Sequence, residues 1–177
     1  MADAIFVAVI LLIALLVGVI AYGLSPPHAF RIERRAIIAA PAEKIFPLLN
    51  DFHAWRTWSP WEKLDPEMKR DYSGAAAGVG SAYAWESAKA GAGRMEIAES
   101  VSSSKLIVKL DFTKPMTAHN MVEFLLQPEG SATNVTWAMY GSQAFLHKLM
   151  GLVFSMDRMV GKDFEAGLSN LKAAAEK

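Results

Sequence analysis

One apolar stripe near the C-terminus does more than any other feature to limit the folds open to this chain. Leu149, Val153, Met156, Val160, Phe164, Leu168 and Leu171 recur every three or four residues. That spacing predicts a long helix over 144–175 with one face that must lie against something. Upstream, between Lys69 and Gly141, the period changes to two. Strands are predicted at Lys69–Tyr72, Ser81–Ser87, Arg94–Val101, Lys105–Thr113, His119–Gln127 and Asn134–Tyr140. In the fourth of these, Leu106, Val108, Leu110 and Phe112 alternate with Ile107, Lys109 and Asp111, the pattern of a sheet covered on one face. Turn clusters at Gly78–Gly80, Gly91–Gly93, Ser102–Ser104 and Glu129–Ser131 separate the strands, and such short connections predict an antiparallel meander. The last helix is the available cover. The expected architecture is therefore α+β, a strongly curved antiparallel sheet wrapped round one long helix.

The N-terminus reads differently. No charged residue occurs from Ala4 to Leu24, and Pro26-Pro27 follows. About 20 apolar residues suffice to cross a bilayer as a helix, and a proline pair ends one. A cleaved secretory signal would need a basic start, a shorter apolar core and a small-residue cleavage site. Here Asp3 is the early charge, and Ala21-Tyr22-Gly23 matches a cleavage site poorly. A buried core helix would be expected to carry a polar face. Residues 1–27 are thus expected to form a single-pass membrane anchor, spanning with residues 4–24, ahead of a domain over 28–177. Arg31, Arg34 and Arg35 follow the run and no Lys or Arg precedes it, which favours a cytoplasmic domain.

The domain begins with a strand over Phe30–Ala39. Pro41 suits a first helical turn, Glu43 favours its dipole, and Ile45, Leu48 and Leu49 form one apolar face. A second short helix is predicted from Phe52 to Trp58, stopped by Ser59-Pro60. With 177 residues, enough chain remains for one real core. The formal net charge is zero, so no nucleic-acid partner is expected. Cysteine is absent, which excludes disulfides, thiolate metal sites and a Cys nucleophile.

With these elements in order, three motifs carry a resemblance. Ala40-Pro41-Ala42-Glu43-Lys44-Ile45-Phe46 resembles the A-P-x-E-x-V-F opening of the first helix in the START-like, or SRPBCC, helix-grip superfamily. Trp55-Arg56-Thr57-Trp58-Ser59-Pro60-Trp61 resembles the W-x-x-W-S-P-W run of its polyketide cyclase-type branch. Met159-Val160-Gly161-Lys162-Asp163-Phe164-Glu165-Ala166-Gly167-Leu168 resembles that branch's final helix, which often accompanies an N-terminal membrane segment. The resemblance implies the helix-grip fold and a cavity between sheet and helix that often holds lipids, sterols or aromatic polyketides. It does not imply one activity.

The candidate ligand-binding residues follow from both readings. Trp55, Trp58 and Trp61 are spaced by three and would cluster, either as a lid over a cavity or as core. Tyr83, Trp85, Met95, Ile97, Phe112, Phe124 and Trp137 occupy alternating strand positions, so some would line a pocket and others pack the core. Met150, Met156 and Met159 could line the same space from the helix. Of the histidines, His28, His53, His119 and His147, no two have the spacing of a helical metal pair, and no metal site or cofactor is expected. His53, Tyr83 and His119 are the candidate acid–base residues. Asp157 and Asp163 are expected to face water or cap local structure. No Gly-x-Ser-x-Gly elbow or phosphate loop is present.

The expected function is a membrane-anchored, monomeric binder of a hydrophobic small molecule or lipid. The alternatives are a cyclase- or dehydratase-type enzyme, which needs convergent polar groups in the pocket, and an assembly module, which needs a filled core and an exposed apolar patch.

Overall fold

The computed structural model describes residues 2–24, 29–142 and 156–177. Helix α1 (Ala2–Leu24) comes first. Strand β1 (Ala29–Ile38), helices α2 (Ala42–Asn50) and α3 (Trp55–Trp58) and a 3-10 turn (Pro60–Lys63) follow. The strands β2 (Lys69–Gly74), β3 (Ser81–Ser87), β4 (Gly91–Val101), β5 (Lys105–Lys114), β6 (Ala118–Glu129) and β7 (Ala132–Ser142) lead to helix α4 (Met156–Ala175). The predicted helical residues 144–155, with Leu149, Met150 and Val153, lie outside the described residues, as do His28 and His147.

The strands form one seven-stranded sheet in the order β1-β7-β6-β5-β4-β3-β2, antiparallel throughout. The meander read from the sequence is therefore closed by the first strand, which pairs with the last: Ile32 lies opposite Met139 and Ile38 opposite Thr133. Alternation sends Ile97, Leu106, Val108, Phe124, Val135 and Trp137 to the covered face, where all are buried. The opposite face carries ion pairs such as Arg31–Glu123 (2.8 Å) and Arg94–Glu96 (2.7 Å). Register shifts in the β4–β5 ladder fall between Ala92 and Gly93 and between Ile97 and Glu99. Bulges of this kind bend a strand and increase its twist, which suits a sheet that curls over a helix.

The cluster Gly91–Gly93, expected as a turn, is the start of β4, and the turn lies at 88–90. The ring of Trp85 occupies the space above Gly93. A Cβ there would stand 2.5 Å from Trp85 Cη2 and 2.5 Å from the Asp111 carbonyl oxygen. Glycine inside a strand marks such a close approach.

Helix α4 buries Phe164, Leu168, Leu171 and Ala175 beneath the sheet, with Val160 half-buried. Met159 points away and is 61% exposed, contrary to the expectation that it lines the interior; it precedes Val160 and so falls off the stripe. Arg34 on β1 holds the outer side of α4. Its Nε donates to Glu165 (2.7 Å) and its Nη1 to Asp157 (3.0 Å). Asp157 faces water, as expected, with its side chain 60% exposed, and it also pairs across elements with Arg34. Arg31, Arg34 and Arg35 all lie within β1 and all carry ion pairs.

The described side chains of α1 are those of 5–7, 9–19 and 21. Its large apolar residues stand open, Phe6 at 67% and Leu12 at 65% exposure. Among the described residues no helix is long and apolar enough to cross a membrane, so the structure does not supply the spanning helix expected from the sequence.

Candidate functional site

Between the concave face of the sheet, the segment around α3 and the start of α4 lies a cavity of about 410 Å³. Its construction begins in the tryptophan run. Trp55 and Trp58 occupy one turn of helix, and their indole N–H groups donate to the carbonyls of Leu49 and Leu48, each at 2.8 Å. Those carbonyls belong to the last turn of α2, where acceptors lack helical partners. The three-residue spacing therefore ties α3 under α2. Trp58 is fully buried against Phe124 and Trp137 and does not reach the cavity. Trp55 and Trp61 do.

The sheet contributes Tyr83 and Trp85 from β3, Met95 from β4, Leu110 and Phe112 from β5, Val122 from β6, and Trp137 and Met139 from β7. Helix α4 adds Val160, Asp163 and Phe164, one helical face at spacings of three and four. Phe164 stacks on Trp137, and Trp61 meets both edge-on, at 6.2 Å and 5.7 Å between centroids.

Against these apolar walls stand a few polar groups. The Tyr83 hydroxyl donates to Glu62 Oε1 at 2.6 Å, and Arg70 Nε donates to Glu62 Oε2 at 2.7 Å. Arg70 also reaches the carbonyls of Glu62 (3.1 Å) and Met68 (2.8 Å). The Glu62 side chain is 7% exposed, so this carboxylate is buried with both oxygens occupied. Burial, reinforced by the hydrogen bond to Glu62, pushes the Tyr83 phenol far above its ordinary range. Tyr83 is therefore neutral at physiological pH, with its proton directed at Glu62. Asp163, expected to face water, sits instead in the cavity wall. Burial raises its carboxyl above the usual range, and a hydrogen bond with Trp61 acts in the opposite direction.

Of the residues singled out from sequence, Trp55, Trp61, Tyr83, Trp85, Met95, Phe112 and Trp137 meet round the cavity. Trp58, Ile97 and Phe124 are in the core behind it. The side chain of Met156 lies outside the described residues. His53 is exposed, 3.0 Å from Asp51 and stacked on Tyr72, and is not in the cavity wall. His119 is exposed beside Asp111 at 2.6 Å, also away from the wall. In each case a nearby carboxylate on the surface holds the ring. Among the described residues no cluster of three His, Cys, Asp or Glu side chains could hold a metal ion.

Sequence reasoning missed Glu62, Leu110, Val122 and Met139 as wall residues. Leu110 and Met139 were accessible, since each lies two residues along a strand from a residue already chosen, Phe112 and Trp137. Glu62 had no such signal, because a short 3-10 turn carries no readable period.

A family model described as polyketide cyclase / dehydrase and lipid transport matches residues 29–176. The structure is similar to protein CV1439 from Chromobacterium violaceum, with a TM-score of 0.62 and 17% identity over 83% of this chain and 97% of that one. It is similar to an uncharacterized protein from Rhizobium leguminosarum, with a TM-score of 0.63 and 12% identity over 85% and 96% of the two chains. DynU16, a protein of the dynemicin biosynthetic locus, aligns with a TM-score of 0.59 and 12% identity over 83% of this chain and 47% of its own. At these identities the likeness concerns the fold. A search of curated proteins finds no match.

Proposed function

This chain belongs to the polyketide cyclase / dehydrase and lipid transport family, and on that premise we propose that it is a non-enzymatic, monomeric binder of a hydrophobic small molecule or lipid. One observation carries the reading: the cavity of about 410 Å³ has walls that are almost wholly aromatic and aliphatic. That volume lies in the range of sites for drug-sized ligands, which are mostly apolar with a few placed polar groups. A filled core would have favoured the assembly module.

The polar groups favour binding over reaction. A general acid or base works best with a pKa near the operating pH. Tyr83 is displaced far upward, and both Glu62 oxygens are taken by Tyr83 and Arg70. Neither histidine candidate reaches the space.

The proposal extends to the N-terminus, with residues 4–24 tethering the domain to a membrane on its cytoplasmic side. The uncharged run supports this, as do the exposed apolar side chains of α1 and the arginines that follow. A cavity held beside a bilayer exchanges an apolar ligand without a long aqueous transit.

The test is binding of an environment-sensitive apolar fluorophore to the full chain in an amphipol. A ligand that binds only the folded state adds about 2.7 kcal/mol of apparent stability at a hundredfold excess over its Kd. Val122→Phe places a ring in the cavity. It is expected to weaken fluorophore binding at least tenfold with little loss of stability, whereas overpacking a filled core costs about 1–3 kcal/mol. Failure of any apolar probe to bind, with Val122→Phe merely destabilising, rejects the reading.

A further inference from the structure

We infer that the cavity selects an apolar ligand carrying one cationic ammonium or amine group, held by Asp163 beside Trp61. This rests on the binding function proposed above and adds the chemistry of the ligand's polar end.

The inference comes from an inventory of charge in the wall. The charged residues lining the cavity are Glu62, Lys89 and Asp163. Glu62 is balanced by Arg70 at 2.7 Å and further occupied by the Tyr83 hydroxyl. Lys89 is exposed, and its charge acts on Asp65, where it adds to the larger effect of the Ser87 hydroxyl in holding that carboxyl low. Asp163 is different. Burial and the Trp61 hydrogen bond govern its state, and among the described residues no cation contributes. A half-buried carboxylate without a counter-charge is a standing cost. A cationic ligand removes that cost, a neutral ligand leaves it, and an anionic one meets two carboxylates.

The rings supply the second, independent observation. Trp61, Tyr83, Trp85, Phe112, Trp137 and Phe164 all line the same space. Trp137 is stacked between Phe124 and Phe164, and Tyr83 between Tyr72 and Trp85. Trp61, which hydrogen-bonds Asp163, instead meets its described ring neighbours edge-on. Trp61, Trp137 and Phe164 are packed around Asp163's own turn of α4. The face of an aromatic ring attracts a cation within about 6 Å of its centroid, more strongly once water is excluded. A carboxylate beside an unstacked indole, in a wall of aromatic rings, suits a quaternary ammonium or a hydrophobic amine, whose alkyl part fills the rest of the cavity.

The experiment uses the full chain in an amphipol and four octyl compounds below their micellar concentrations: octyltrimethylammonium, octylphosphocholine, octyl sulfate and octanol. Binding is followed by tryptophan fluorescence and calorimetry. The same titrations on Asp163→Asn cancel partition into the polymer. The ammonium is expected to bind roughly tenfold more tightly than octanol, and octyl sulfate more weakly than octanol. In Asp163→Asn the ammonium-to-octanol ratio should fall to near one, while Asp163→Glu should keep the preference. Octylphosphocholine binding as tightly as the ammonium identifies a lipid headgroup as the source of the cation; weaker binding identifies a free amine. Equal affinities for ammonium, octanol and sulfate overturn the inference while leaving the binding function intact, as does a preference that survives Asp163→Asn. Binding of none of the four removes the binding function and this inference with it.

Discussion

Trp137 lies flat on Phe164, with ring centroids 4.1 Å apart and planes 8° from parallel. This stack joins β7, the neighbour of edge strand β1, to the last helix. It is buried on both sides, at 2% exposure for each residue.

The stack depends on a small neighbour. Gly167, one turn along α4 from Phe164, faces the rim of the same indole, and a Cβ there would stand 2.6 Å from Trp137 Cζ3 and 3.2 Å from Pro60 Cδ. Gly167→Val is therefore expected to displace the ring and cost about 1–3 kcal/mol, even though glycine itself is a poor helix former. Urea denaturation checks this. A variant as stable as the parent would mean that α4 does not approach Trp137 so closely.

Asp163 gives a pH-dependent expectation. Its folded-state pKa is raised, chiefly by burial, so between the unfolded value of about 3.9 and the folded value the native state holds more protons than the unfolded one. Its contribution to stability therefore falls as pH rises through that window and stays unfavourable above it. Asp163→Asn should be more stable than the parent at pH 7, with the difference closing as pH drops below the unfolded value. Chemical denaturation at a series of pH values measures it. A variant less stable at pH 7 would show that the carboxylate is stabilising where it stands.

Removing Met1–Pro27 should leave a folded domain. Among the described residues, the buried core draws on none of those removed and begins at Ile32. The truncated protein is expected to keep its β-sheet circular dichroism and cooperative melting, and the proposed anchor predicts that the full chain sediments with membranes while the truncated one does not. Aggregation with loss of sheet signal would show that α1 packs on the domain.

The backbone plan was largely legible in the sequence, because period and burial share one cause. Leu106, Val108 and Leu110 point inward for the reason that makes them alternate, and Phe164, Leu168 and Leu171 follow the same logic on α4. Cavity and core were not separable this way. Phe124 and Trp137 obey the same alternation and stack on each other at 5.0 Å, yet Trp137 faces open space and Phe124 does not. Period reports which side a residue faces, not whether the space on that side is filled. Asp163 was legible in principle, since it falls three residues after Val160 and four before Gly167 on the inward face. Its charge suggested solvent, and the packing around Trp61 overrode that. The pairing of Arg34 was likewise not legible, because its partners, Asp157 and Glu165, are distant in sequence.

The pairing of β1 with β7 has a consequence for biosynthesis. Ala29 meets Ser142 and Ile38 meets Thr133, so the first strand has no ladder partner until the last strand has been translated. Helix α4, which rests on that same first strand, is made later still. Contacts so distant in sequence must close long loops before they stabilise anything, which slows folding. A ribosome-bound chain therefore leaves its aromatic inner face uncovered until α4 has been made. Nascent chains with apolar surface exposed in this way are prone to aggregate, and here the exposed interval runs from translation of β3 to the arrival of α4.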